Sequence, residues 1–123
     1  MRRRVPVVVA VVVVLASVSL GGTSWGLTTS PSEILDNSAR FDGQVVTLTG
    51  TITNLRPRVS AKGNAYYTFD LSDGPRTIPV FSFGRSPCTT GTKATVEGAF
   101  QRVKNVGRYT FYNQIDAITV TCP

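Results

Sequence analysis

The sequence predicts an all-β domain, a small closed barrel of five strands preceded by a short helix and an apolar N-terminal segment. Three observations point there. Five stretches alternate apolar and polar residues with a period of two, the pattern of half-buried strands. Clusters of turn-forming residues separate them at short intervals, as in small barrels. Glycines stand inside the first and fourth stretches, Gly50 and Gly98, where a tightly coiled strand needs room. Five strands are too few for a seven-stranded sandwich.

The elements follow in chain order. "MRRRVPVVVAVVVVLASVSLGG" sets Arg2, Arg3 and Arg4 ahead of an apolar run from Val5 to Leu20, then small residues, the order of a secretory leader. The run is a little short of the about 20 residues that cross a bilayer, and extension to Leu27 reaches that length. A cleaved signal peptide and a retained membrane anchor therefore both stand. Ser17-Val18-Ser19 and Ser24-Trp25-Gly26 offer small residues for cleavage, and no cysteine follows the run as a lipoprotein would require. We assign residues 1–27 to this segment and 28–123 to the domain. Either route exports the domain, periplasmic or secreted, and leaves the arginines on the cytoplasmic side.

This division changes the meaning of the charge. The whole chain carries +6, but without the three leader arginines ten cations face seven anions, a balance of +3. So small an excess does not by itself imply a nucleic-acid partner. The distribution of the cations has to carry that argument.

Ser30 at the cap, Pro31 at the first helical position and Glu33 at the third predict a short helix with a capping box. Ile34 and Leu35 give it an apolar face, and Asp42-Gly43 ends it. The first strand, about 44–55, has Val46, Leu48 and Ile52 on one parity and Thr47, Thr49 and Thr51 on the other. Tyr67, Phe69 and Leu71 alternate in the second, which stops at "SDGP". The third covers Ile78 to Phe83, with Pro79 suggesting an edge or a bulge. Ala94, Val96, Gly98 and Phe100 mark the fourth, and the fifth runs from about 108 to 121.

The chemistry available is narrow. The chain has no histidine, which removes the usual general base, the commonest metal ligand and the Ser-His and Cys-His pairs. Seven scattered carboxylates show no spacing of a paired acid and base. Two cysteines alone make a poor metal site, and there is no phosphate loop or dinucleotide fingerprint. We expect neither catalysis nor a cofactor. Cys88 precedes the fourth strand and Cys122 closes the fifth. If those strands form a hairpin turning about Asn105, the cysteines face each other, and an oxidising compartment would join them as a disulfide.

"DGQVVTLTGTITNL", "KGNAYYTFDLSDGPRTIPVF", "GTKATVEGAF" and "GRYTFYNQIDAITV" together resemble the oligonucleotide/oligosaccharide-binding (OB) fold. They are most similar to OB domains of the tRNA-anticodon-binding type and of the exonuclease VII large subunit. The resemblance covers roughly residues 42–121 and implies a five-stranded Greek-key barrel. It also implies a ligand lying across the second and third strands, clasped by the loops after the first and fourth. Those loops are expected over 55–64 and 101–107. They hold Arg56, Arg58, Lys62, Arg102 and Lys104, with Arg108 just beyond and no acidic residue in either.

The aromatic residues divide by parity. Tyr67 and Phe69 belong to the core, which leaves Tyr66, Thr68 and Asp70 on the other face. Phe81 and Phe83 share a parity opposite to Val80. They are either exposed or packed under the short helix. Tyr112 and Arg108 share a parity opposite to Tyr109 and Phe111. The expected ligand surface is therefore Tyr66, Phe81 and Tyr112 between the two basic loops, suited to stacking bases and neutralising phosphates.

Three functions fit these residues. The first is an exported, non-catalytic module binding single-stranded nucleic acid or another polyanion. The second is a periplasmic ligand- or protein-binding module, similar in layout to the haem chaperone of cytochrome c maturation. That family attaches haem through a histidine, or in a variant a cysteine, followed by a tyrosine, a motif missing here, so the haem function does not carry over. The third is an envelope-interaction domain using its sheet edges for a protein partner. The membrane enters only through the N-terminal segment.

Overall fold

The computed structural model describes residues 26–123. The leader assignment falls almost wholly outside them. Six strands and two short helices occur in the order β1 (Leu27–Thr29), α1 (Pro31–Asp36), α2 (Ser38–Phe41), β2 (Val45–Val59), β3 (Ala65–Ser72), β4 (Thr77–Phe83), β5 (Lys93–Val106) and β6 (Tyr109–Thr121). The sheet runs β1-β2-β3-β4-β6-β5, and β2 also pairs with β5, which closes β2 to β6 into a barrel. All neighbours in the barrel are antiparallel except β4 and β6, which pair in parallel through Val80–Ile115 and Phe81–Asp116. This is an all-β barrel of OB type.

The alternation in β2 explains the closure. Val46, Leu48, Gly50 and Ile52 are buried, and the threonines between them face out. Each fully buried Leu, Ile or Phe contributes about 1.5–3 kcal/mol, and Phe69, Leu71, Ile78, Val80, Val96, Phe100 and Ile115 complete the core. The two interior glycines meet backbone at close range. A Cβ on Gly50 would stand 2.5 Å from the Ser72 carbonyl oxygen, and one on Gly98 would collide with the Asp116 carbonyl and Ala117 Cα. Gly98 also sits at the irregularity where β5 shifts register on β6. The strands coil there because no side chain stands in the way.

The helices plug one end of the barrel with Ile34 and Phe41, both buried. Ser30 Oγ accepts the Glu33 N–H at 3.1 Å, as expected of the cap. The reciprocal half of the capping box does not form. Glu33 Oε1 instead accepts the Thr29 hydroxyl at 2.7 Å, and its other oxygen lies 3.7 Å from Arg40. The single expected helix is broken at Asn37, whose φ of −134° and ψ of 42° are outside the helical region. β1 is a strand that no sequence pattern marks. It pairs in parallel with β2 through Leu27–Val46, so ordered structure reaches ahead of residue 28.

The β3–β4 register runs unbroken past Pro79, so there is no bulge, but Pro79 pairs with Asp70 alone and lies one residue before the two-residue contact with β6, an open position that suits a residue without an N–H. Two expectations need correction. The loops expected over 55–64 and 101–107 are mostly strand, because β2 continues to Val59 and β5 to Val106. The β5–β6 turn is not at Asn105. Val106 pairs with Tyr109, which leaves Gly107-Arg108 as a two-residue turn, with Gly107 at φ 60° as such tight hairpins require.

Cys88 and Cys122 are joined, with Cα atoms 5.9 Å apart. The hairpin pairing does not bring them together, since β5 begins at Lys93 and Cys88 lies in the β4–β5 connection. The bond therefore ties that connection to the end of β6.

Candidate functional site

Two extended hairpin arms replace the expected loops, and each rests on an asparagine in the left-handed region. Asn54 has φ 53° and Asn113 has φ 54°. Asparagine tolerates that conformation better than other non-glycine residues. Asn54 sits where β2 slips against β3, between the pairs Thr53–Asp70 and Arg56–Thr68, and its side chain donates to Asp70 Oδ2 at 3.0 Å. The bulge re-aims the rest of β2, so that Arg56 and Arg58 leave the barrel wall as part of an arm.

Register then decides what those arginines face. Directly opposed residues on neighbouring strands lie on the same side of a sheet. Arg58 opposes Tyr66, which opposes Phe83; Arg56 opposes Thr68, which opposes Phe81. Phe81 in turn is level with Asp116 on β6. The outer face of β2, β3 and β4 thus carries two rows, each with an arginine at one end and a phenylalanine beyond it.

The rings touch. Tyr66 and Phe81 have centroids 5.3 Å apart, and Phe83 meets Phe81 edge-on at 5.0 Å. Phe83 is 76% exposed, and Tyr66 and Phe81 are half-buried. Neither phenylalanine packs under the helices. A contiguous aromatic surface open to solvent is what a planar ligand can stack on.

The second arm reaches this face through one side chain. β2 and β5 are antiparallel, so the two arms leave opposite ends of the barrel strands. Lys104 nevertheless holds its ammonium 4.8 Å from the Phe81 centroid and 2.8 Å from Asp116 Oδ1. Gln101 and Gln114 donate to the same carboxylate at 2.6 and 2.8 Å. Asp116 is an anion in the middle of the face, visible in the sequence only as an outward neighbour of core Ile115. Lys104 is committed to neutralising it.

The remaining expected residues divide. Lys62 is exposed at the tip of the β2–β3 arm, in the turn closed by Gly63 N–H to Ser60 O at 2.9 Å. Arg102 anchors its arm by donating its backbone N–H to Asp42 Oδ1 at 3.0 Å. Arg108 lies in the far turn of the β5–β6 arm, away from the aromatic rows. Tyr112 does not join the cluster. It opposes Val103, while Lys104 opposes Phe111, which puts Tyr112 and Lys104 on opposite faces of the arm. Among the described residues no carboxylate lies within 4.0 Å of the charged groups of Arg56, Arg58, Lys62, Arg102 or Arg108.

Two residues outside the expected ligand surface belong to the site. Phe83 shares the parity of Phe81 and is the more open ring. Arg85 follows β4 and, with Arg58, Val59 and Tyr66, lines a shallow concavity beside the β2–β3 arm. A cation immediately after an exposed aromatic strand end is the signal that marks it.

Solved structures share this barrel, among them the following three. An aspartyl-tRNA synthetase of Leishmania major aligns over 92% of this chain and 25% of its own, with a TM-score of 0.61 and 10% identity. RecG bound to a three-way DNA junction aligns over 79% of this chain and 12% of its own, at a TM-score of 0.51 and 17% identity. In the yeast Stn1 and Ten1 structure the aligned chain is covered over 68% and this one over 89%, at 0.55 and 12% identity. This chain spans a quarter or less of the first two, and identities this low establish the OB-like fold alone. No protein-family model matches the sequence, and neither does any curated protein.

Proposed function

We propose that this chain is a non-catalytic, exported OB-fold module that binds single-stranded nucleic acid or a similar polyanion bearing flat rings. The observation that carries the reading is the exposed Tyr66–Phe81–Phe83 surface with Arg56 and Arg58 at the ends of its two rows. Bases stack on the rings, at about 1–3 kcal/mol each. Phosphates run along the β2 side, where the arginines are unpaired. Its structural neighbours include one solved on DNA and one that is a tRNA synthetase, which suits such a partner.

Export is part of the proposal. It is supported by the leader-like order of residues 1–27 and by the Cys88–Cys122 bond, which belongs to oxidising compartments. The same bond occupies the cysteine that a haem-attachment chemistry would need, which disfavours the haem-chaperone reading.

Fluorescence anisotropy of labelled single-stranded oligonucleotides, titrated at several salt concentrations, tests the proposal. Affinity should fall steeply with salt and rise with oligonucleotide length. Affinity independent of both would overturn it, and equal binding to a ring-free polyanion such as heparin would remove the stacking component.

A further inference from the structure

The β5–β6 arm carries a surface that the aromatic face does not use. Val106 and Tyr109 oppose each other beside the Gly107-Arg108 turn, with Phe111 on their side of the arm; Val103 and Tyr112 oppose each other on the reverse. All five are exposed, Tyr109 at 64% and Tyr112 at 65%. A hairpin with one apolar face can fold back and bury it on its own barrel. One that is apolar on both faces buries at most one of them in that way, and the other is left for a surface outside the barrel. The tip of the other arm, Ser60 to Asn64, carries Lys62 but no large apolar side chain.

Two further features say what the tip enters. Between Glu97 and Asp116 the chain has no carboxylate; with Lys104 paired to Asp116, Arg102 and Arg108 remain uncompensated, so the arm complements an anionic surface. The chain also enters the barrel at the base of this arm. Leu27 pairs with Val46, while Val46 and Val45 pair with Gly98 and Ala99, the last part of β5 before the arm begins. The described chain therefore begins at the same end of the barrel, and the sequence before it holds three arginines and an apolar run from Val5 to Leu20.

We infer that the β5–β6 arm is a membrane-surface contact, its aromatic tip seated at the headgroup boundary of an anionic lipid bilayer with Arg108 among the headgroups. Tyrosine and cations together favour that depth, the ring partly in the apolar layer and the charge in the polar one. The inference is independent of what the Tyr66–Phe81–Phe83 face binds.

The test uses the full chain carrying Trp25→Phe, which removes its one tryptophan, with a single reporter introduced as Tyr109→Trp. Vesicles contain brominated phosphatidylcholine with or without phosphatidylglycerol. Strong quenching is expected in the anionic vesicles, reduced by salt and by the absence of phosphatidylglycerol. Arg108→Ala in the same background should weaken partition about fivefold. The parallel reporter Val59→Trp, on the other arm and 69% exposed in the parent, should remain unquenched. Both reporters replace exposed residues, so folding is preserved, and an intact disulfide on unreduced mass analysis verifies it. An unquenched Tyr109→Trp would overturn the inference, as would equal quenching at both reporters. So would a concentration-dependent dimer abolished by Phe111→Ser, which would make the tip a contact between copies.

Discussion

Lys104 places its ammonium 4.8 Å over the Phe81 ring while the same group pairs with Asp116 at 2.8 Å. The pair is close to neutral, which separates Lys104 from Arg58 although both are cations beside one aromatic surface. Arg58→Ala removes a free charge and should lower the salt slope of oligonucleotide binding by about 0.7. Joint replacement by Lys104→Ala and Asp116→Asn should leave that slope unchanged. Lys104→Ala alone should weaken binding more than the joint replacement, because it leaves the carboxylate uncompensated. Anisotropy against log salt for the four proteins decides it, and identical slopes for all would deny that charge state matters.

Phe83 is the ring least involved in the fold. Phe83→Ala should weaken oligonucleotide binding by about 1–3 kcal/mol and shift the denaturant midpoint little, since the side chain is already in water. Phe69→Ala, in the core, should do the reverse and destabilise by about 3–5 kcal/mol. Paired unfolding curves and binding titrations for the two variants separate these effects.

Much of this organisation is legible in residue order because period-two alternation maps directly onto burial. Val46, Leu48 and Ile52 face inward, as do Tyr67, Phe69 and Leu71, and Gly50 and Gly98 stand where the sheet coils. Tyr66 and Phe81 also follow from parity. What alternation cannot carry is a break in its own phase. Asn54 and Asn113 each take a left-handed turn inside a strand, and these kinks extend the arms where composition suggests loops. The position of Tyr112 depends on the hairpin register, which Gly107 sets two residues later than Asn105. β1 is invisible because three residues are too few to display a period, and Asp116 gains its role only through the parallel pairing with Phe81.

Gly98 links the fold to the site. Gly98→Ala would drive a methyl group into the Asp116 carbonyl and Ala117, and backbone cannot move aside as a flexible side chain can. Overpacking of this kind costs about 1–3 kcal/mol. The displaced residue is the partner of Lys104, so oligonucleotide affinity should fall along with the denaturant midpoint. Unchanged affinity at reduced stability would show that the strain relaxes away from the face.

Reduction should weaken the domain more than it alters the aromatic face. Cys88 and Cys122 are 34 residues apart in sequence, and closing a loop of that size contributes roughly 3–4 kcal/mol through the unfolded chain. Guanidinium unfolding with and without reductant should show a loss of that order. Binding measured well below the transition should change less than stability, because Phe81 and Phe83 are held by Tyr66, by each other and by Lys104, while Cys88 borders only the concavity beside Tyr66.

Asp73 gives stability a dependence on pH. Its carboxyl is held below its usual range chiefly by Ser32, whose neighbouring hydroxyl falls short of a well-formed hydrogen bond. The backbone N–H groups of Ser32 and Arg76 add to the effect at 2.9 and 3.1 Å, and partial burial opposes it. A carboxyl lowered on folding contributes stability that is fully present above its unfolded value, near 3.8, and lost as the pH falls through the folded value. Asp73→Asn should therefore cost about 1 kcal/mol at neutral pH and progressively less as the solution is acidified below that point. Urea midpoints of parent and variant, compared across an acid series, should converge. A constant gap would mean that the charge on Asp73 contributes nothing, and that only its shape holds the β3–β4 turn against α1.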